Sequence, residues 1–172
     1  FEEKAEVLAE KYSASMKTQV EEAKAAYDDV VSAGIAEAKL DAELLAKYKA
    51  VYGVYVVATQ LESKTASWGN EYTYTMYDDV IASKELADNL INNTSAAQDA
   101  VSEEIIEKVS KFYEIAVEAK SIDAKIDELS DTYESSMTDA LILIKNSITA
   151  LKENGGTDNA INAEKLAKFN TL

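Results

Sequence analysis

Apolar residues recur in steps of three and four along almost the whole chain, and no proline interrupts them. That spacing lays one continuous stripe along an α-helix. In the first part it runs through Ala5, Leu8, Tyr12, Met16, Val20, Ala23, Tyr27, Val30, Gly34, Ala38, Leu45, Tyr48, Tyr52, Tyr55 and Leu61. It predicts a single helix over about 2–66, roughly 90 Å long at about 1.5 Å per residue. Gly34 and Gly53 are its weak points, since a glycine inside a helix costs about 1 kcal/mol against alanine. From Val51 to Val57 almost no polar face remains, so this part should be packed on several sides. Its β-branched and aromatic residues would also suit a short strand, but both flanks are strongly helical and helix is the expected state.

Ser67, Trp68, Gly69 and Asn70 supply turn chemistry. The chain is expected to reverse there, bringing Tyr72, Tyr74, Met76 and Tyr77 back beside Val51–Val57 as one aromatic end, with a second helix over about 70–91. Asn92 to Ser95 interrupt the pattern, and Ser95 followed by Gln98 has capping-box spacing. A third helix is therefore predicted over about 96–153, on the rhythm Val101, Ile105, Val109, Phe112, Ala116, Ala119, Ile122, Ile126, Leu129, Tyr133, Met137, Ala140, Ile144, Ile148 and Leu151. Asn154, Gly155 and Gly156 stop it. A short helix over about 158–169, capped by Thr157 or Asp158, closes the chain.

The expected fold is all-α. One domain over 1–172 would form an elongated antiparallel helical bundle of two very long helices plus a shorter helix and a short C-terminal helix, monomeric or weakly dimeric. Glu43 with Lys47, Glu104 with Lys108, and Glu107 with Lys111 have the four-residue spacing of surface ion pairs. No internal repeat with a period of 20–50 residues is visible.

Composition narrows the chemistry. The formal net charge is −15, and all seventeen basic residues are lysine. This excludes nucleic acid as a partner, since no basic stripe faces a phosphate backbone, and the lack of arginine removes the planar fork suited to phosphate. There is no histidine or cysteine, so imidazole-activated nucleophiles and the usual zinc sites cannot be assembled. No catalytic, cofactor-binding or metal residues are assigned. Asp78 with Asp79, Glu103 with Glu104, and Asp123, Asp127 and Asp131 group carboxylates, the last three on one helix face, and read as a solvated acidic surface.

Two features could serve a function. Tyr48, Tyr52, Tyr55, Trp68, Tyr72, Tyr74 and Tyr77 would make an aromatic contact or ligand end, tyrosine being suited to contact surfaces; a core whose hydroxyls reach water is the plainer reading. Asn92-Asn93-Thr94 and Asn93-Thr94-Ser95 are overlapping glycan acceptor sequons at Asn92 and Asn93. No apolar run approaches the roughly 20 residues of a membrane span, and a chain starting at Phe1 suggests a leader removed upstream.

The acidic Glu/Ala-rich character, as in Glu21-Glu22-Ala23-Lys24-Ala25-Ala26, the absence of cysteine, and long helices over most of 1–153 resemble the glutamic acid and alanine-rich surface proteins of trypanosomes. These are related in architecture to the N-terminal domain of the variant surface glycoproteins. The lack of head cysteines points to the simpler relative. The resemblance implies a non-catalytic coat protein on the extracellular face of the plasma membrane, held by a GPI anchor outside this chain and packed against neighbouring copies, with a host or vector ligand unidentified. The alternative is an extracytoplasmic ligand-sensing or receptor bundle using the tyrosine-rich end, which predicts flanking membrane helices; an intracellular coiled-coil adaptor predicts neither those nor an anchor.

Overall fold

The computed structural model describes residues 1–172 and contains seven α-helices and no strand: α1 Glu2–Glu6, α2 Lys17–Ser32, α3 Ala42–Thr65, α4 Tyr77–Asn92, α5 Glu103–Asp127, α6 Thr138–Glu153 and α7 Ala163–Thr171. The all-helical expectation holds, and Val51–Val57 are helical within α3. The two very long helices do not form as single pieces. Where 2–66 was expected there are three helices, and where 96–153 was expected there are α5 and α6, with α5 starting at Glu103.

The breaks have local causes. Ser13 is extended at φ −129° and ψ 157°, its carbonyl accepts from the Met16 N–H at 2.9 Å, and its hydroxyl lies 2.9 Å from that of Ser15. Serine hydroxyls that bond locally compete with the helix ladder. Glu134 repeats this conformation before Met137, at φ −127° and ψ 146°. Leu8, Tyr12 and Met16 are all buried, so four-residue steps persist through backbone that is not helical. At the other break Gly34 takes φ +74° just past the end of α2, a conformation glycine adopts without a Cβ clash. Asp41 then caps α3, accepting from the Glu43 and Leu44 N–H groups at 3.0 and 2.9 Å. The Ser95–Gln98 stretch starts no helix. It lies against Tyr12, whose N–H donates to the Ala96 carbonyl at 2.7 Å and whose carbonyl accepts from Gln98 at 2.8 Å. Ser102 stands at the head of α5, its hydroxyl 3.4 Å from the Ile105 N–H.

These breaks recur at a period longer than the one sought in the sequence. Tyr12, Tyr72 and Tyr133 stand 60 and 61 residues apart, each four residues before Met16, Met76 and Met137. Each methionine closes a 3-10 turn and leads into a helix of 16 residues, α2, α4 or α6. Each short helix is followed by a connection ending at Asp41, Ser102 or Asn162, where α3, α5 or α7 begins. The lysine six residues past each of those positions reaches back about forty residues to a backbone carbonyl. Lys47 donates to Leu8 at 3.0 Å, Lys108 to Trp68 at 2.9 Å and Lys168 to Leu129 at 2.7 Å. The chain is three copies of one module.

It divides into two compact units, residues 1–66 with 85–106 and residues 67–84 with 107–172. In the first, α1, α2 and α3 pack together over Leu8, Tyr12, Val20, Ala23, Val51, Val54, Ala58 and Leu61. The core of the second is Trp68, Tyr72, Val80, Phe112, Ile115, Ile122, Ile126, Ile144, Leu151 and Ile161.

The glycines should respond with opposite signs. A Cβ added at Gly53, inside α3, would meet nothing within 4 Å, whereas Gly34 has positive φ. Gly53→Ala is expected to stabilise by about 0.5–1 kcal/mol, and Gly34→Ala to destabilise by about 1–2 kcal/mol, as measured by urea denaturation.

Candidate functional site

The seven aromatic residues singled out from the sequence form two clusters, one in each unit. In the first unit, Tyr48, Tyr52 and Tyr55 follow the α3 stripe and join a ladder of rings. Phe1 meets Tyr27 and Tyr48 at centroid distances of 5.7 and 5.3 Å, Tyr48 stacks on Tyr52 at 5.6 Å, Tyr52 on Tyr55 at 5.8 Å, and Tyr55 meets Tyr12 edge-on at 5.8 Å. The hydroxyls at its rim are already engaged. Tyr55 donates to Glu21 at 2.9 Å, and Tyr27 donates to Glu37, whose other oxygen accepts from Lys49 at 2.7 Å. Lys49 and Tyr27 together hold the Glu37 carboxyl below its ordinary range.

In the second unit, Trp68 stacks on Phe112 at 5.5 Å and Tyr72 meets the same ring edge-on at 6.2 Å. Trp68 and Tyr72 are buried and serve as core. Tyr74 and Tyr77 hold the Lys120 ammonium over their faces at 5.3 and 4.9 Å, a cation–π arrangement. A shallow groove of about 590 Å³ runs from Tyr74 past Asp158 and Ile161 to Leu166. It gathers no pair of acid and base groups.

The acidic series on α5 is divided among separate tasks. Asp127 pairs with Lys165 at 2.5 Å and Asp131 with Lys168 at 3.0 Å. Asp123 is buried, and its Oδ1 accepts from the Asn162 N–H at 3.2 Å while Oδ2 has no partner. Burial raises its pKa, against the opposing pull of that N–H and of Lys165 and Lys120. Asp41 makes the equivalent contact in the first module, donating its N–H to Glu2 at 2.9 Å. These carboxylates organise helix starts. Of the sequons, Asn92 ends α4 and is exposed, while the Asn93 side chain accepts from Ser95 at 3.1 Å.

Sequence reading missed the three lysines. Lys47 and Lys108, expected to pair with Glu43 and Glu104, are spent on backbone carbonyls. The signal was present in the recurrence of a capping residue and a lysine six positions on at 41/47, 102/108 and 162/168. Fold and residues together define an all-α protein of like helical modules. Comparison with protein-family models, with curated proteins and with solved structures finds no match for this chain.

Burial pushes the pKa of Tyr12 up to about 12 and also raises those of Tyr48 and Tyr72. A phenol whose folded pKa exceeds its unfolded value near 10 contributes stability that is complete below pH 10 and is lost as pH rises toward 12. Thermal melts should therefore fall steeply over that window, and Tyr12→Phe should flatten the fall. For Asp123 the raised pKa means that the ionised form opposes folding near neutrality. Asp123→Asn, which keeps an acceptor for Asn162, is expected to raise the melting temperature at pH 7 by an amount that shrinks once acid protonates the wild-type carboxyl. Asp123→Ala should cost about 1–3 kcal/mol by orphaning that N–H.

Proposed function

We propose that this protein is a non-catalytic structural element of a cell surface, a helical repeat that covers or spaces rather than transforms a substrate. The observation that carries the reading is which residues recur from module to module. Tyr12, Tyr72 and Tyr133, the three methionines, the capping residues and the three lysines build turns, caps and cores. Positions between them change freely, as with Lys17, Tyr77 and Thr138 or Glu21, Ile81 and Ile142. A module multiplied for its scaffold, with no recurring reactive group, supplies length and coverage. The acidic surface adds self-repulsion and solubility.

The resemblance to trypanosome coat proteins adds the surface location, the lipid anchor and the neighbouring copies to the proposal. Its composition-based support stands, while the support drawn from long helices over most of 1–153 is weakened by the breaks at 7–16, 33–41 and 128–137. The ligand-sensing alternative relied on one tyrosine-rich end; the tyrosines lie in two groups with several hydroxyls already bonded, which leaves the structural reading ahead.

Antibodies raised against the chain should stain intact cells of its source; staining only after permeabilisation would sink the surface assignment. The elongated form that belongs to this proposal is checked by small-angle scattering. A radius of gyration well above roughly 16 Å, the value for a globule of this length, is expected, and a value near it counts against a spacer.

A further inference from the structure

In the first unit we propose that the tyrosine ladder is a radical relay, which carries one-electron oxidation along stacked rings to Tyr55 and releases it there to a diffusible reductant. Tyr27, Tyr48, Tyr52, Tyr55 and Tyr12 follow one another at centroid distances of 5.2, 5.6, 5.8 and 5.8 Å. Rings in such contact exchange an electron readily, so a hole made on one is shared along the row. The module plan does not require them. Tyr27, Tyr48 and Tyr55 correspond to Ala87, Val109 and Ala116 in the second module, where those aliphatic residues are core. The carboxylates on the ladder are equally particular to the first module, since Glu21 and Glu37 correspond to Ile81 and Gln98. Contiguous tyrosines and carboxylates on their phenols thus occur together where the fold asks for neither.

The hydrogen bonds decide where the radical rests. An oxidised phenol is a strong acid, and it holds a radical stably only if its proton has somewhere to go. Tyr12 and Tyr48 are buried, and no carboxylate is bonded to their hydroxyls. Tyr55 donates to Glu21 at 2.9 Å, and Tyr27 donates to Glu37. Glu37 also accepts from Lys49 at 2.7 Å, and that ammonium together with Tyr27 makes it the weaker base. A one-electron oxidant such as a peroxyl radical takes an electron from Tyr27, is reduced to the hydroperoxide anion and is protonated by water. The hole passes through Tyr48 and Tyr52, and Tyr27 recovers its proton from Glu37. At Tyr55 the phenol proton moves to Glu21 and a neutral tyrosyl radical remains. A thiolate or ascorbate anion then supplies an electron, and Glu21 returns the proton. The net result moves one electron from reductant to oxidant and leaves the chain unchanged. This activity is separate from the structural role proposed above and does not depend on it.

The chain has no cysteine, so Val31→Cys, at an exposed position one turn from Tyr27, holds a single ruthenium tris-bipyridyl photo-oxidant beside the ladder. Laser flashes with a sacrificial electron acceptor generate the oxidant, a nitroso spin trap captures tyrosyl radicals, and peptide mapping locates the adduct. The adduct is expected chiefly on Tyr55. Tyr52→Phe keeps the stack but inserts a ring much harder to oxidise, and should shift the adduct to Tyr27. Glu21→Gln, at an exposed position where folding is not at stake, keeps an acceptor that cannot take the proton and should shift it the same way. Adduct resting on Tyr27 in the labelled parent chain would overturn the proposal. So would adduct on Tyr55 that neither substitution moves, or equal labelling of Tyr55, Tyr113 and Tyr133, the mark of oxidation through solution.

Discussion

The carbonyls that follow the end of an α-helix, like its last four, have no donor in the helix ladder, and in this chain a lysine from the next capped helix supplies one. Lys47, Lys108 and Lys168 each span about forty residues to reach a carbonyl just past α1, α3 or α5. A cation at a helix C-terminus also meets the negative end of the helix dipole. The contact fixes where one module stops and the next begins. It requires the lysine to sit one turn inside a capped helix, and hence the cap at Asp41, Ser102 or Asn162. It requires the chain between to be a turn and a 16-residue helix, so that the long helix returns beside the end of its predecessor. Tyr12 and Tyr72 then fall under the long helix as core.

Helix content, the acidic surface and the identity of most core positions were legible in the sequence, because burial of a stripe needs only its spacing. The ends of helices were not. Leu8, Tyr12 and Met16 keep four-residue steps through a turn whose own geometry puts them on the buried side, and Leu129 and Met137 are buried across the equivalent turn. Apolar spacing reports which residues face the core and does not report whether the backbone between them is helical. Serine at 13 and 15 and at 135 and 136 was the available warning, and it carries weight only once the same arrangement is found sixty residues away.

The aromatic residues illustrate a second limit. Ser67–Asn70 suggests the tip of a hairpin because turn residues mark a change of direction without specifying where the chain goes next. In the module plan the same stretch contains Trp68, the equivalent of Leu8 and Leu129, and its carbonyl is a lysine acceptor. Trp68 and Tyr72 thereby become core of their own unit. The tyrosine ladder from Phe1 to Tyr12 forms within the other, where partly exposed rings stack along α3 and bond to carboxylates on α2 and on the connection after it.

Internal repetition also supplies a reference that a lone domain lacks. An exposed tyrosine on an isolated helical protein needs no explanation, since much of any surface is apolar. Tyr133 differs because the same residue, after the same helix end and before the same methionine turn, is covered twice elsewhere in the same chain. Its exposure therefore reflects its surroundings and not its chemistry. The loop of the second module makes the converse point. It is one residue longer than its counterparts, lacks their glycine, and places Asp99 at φ +50°, yet α4 and α5 on either side keep the common plan. The module tolerates change in its connections because the caps, the methionine turn and the lysine contact hold the helices in place.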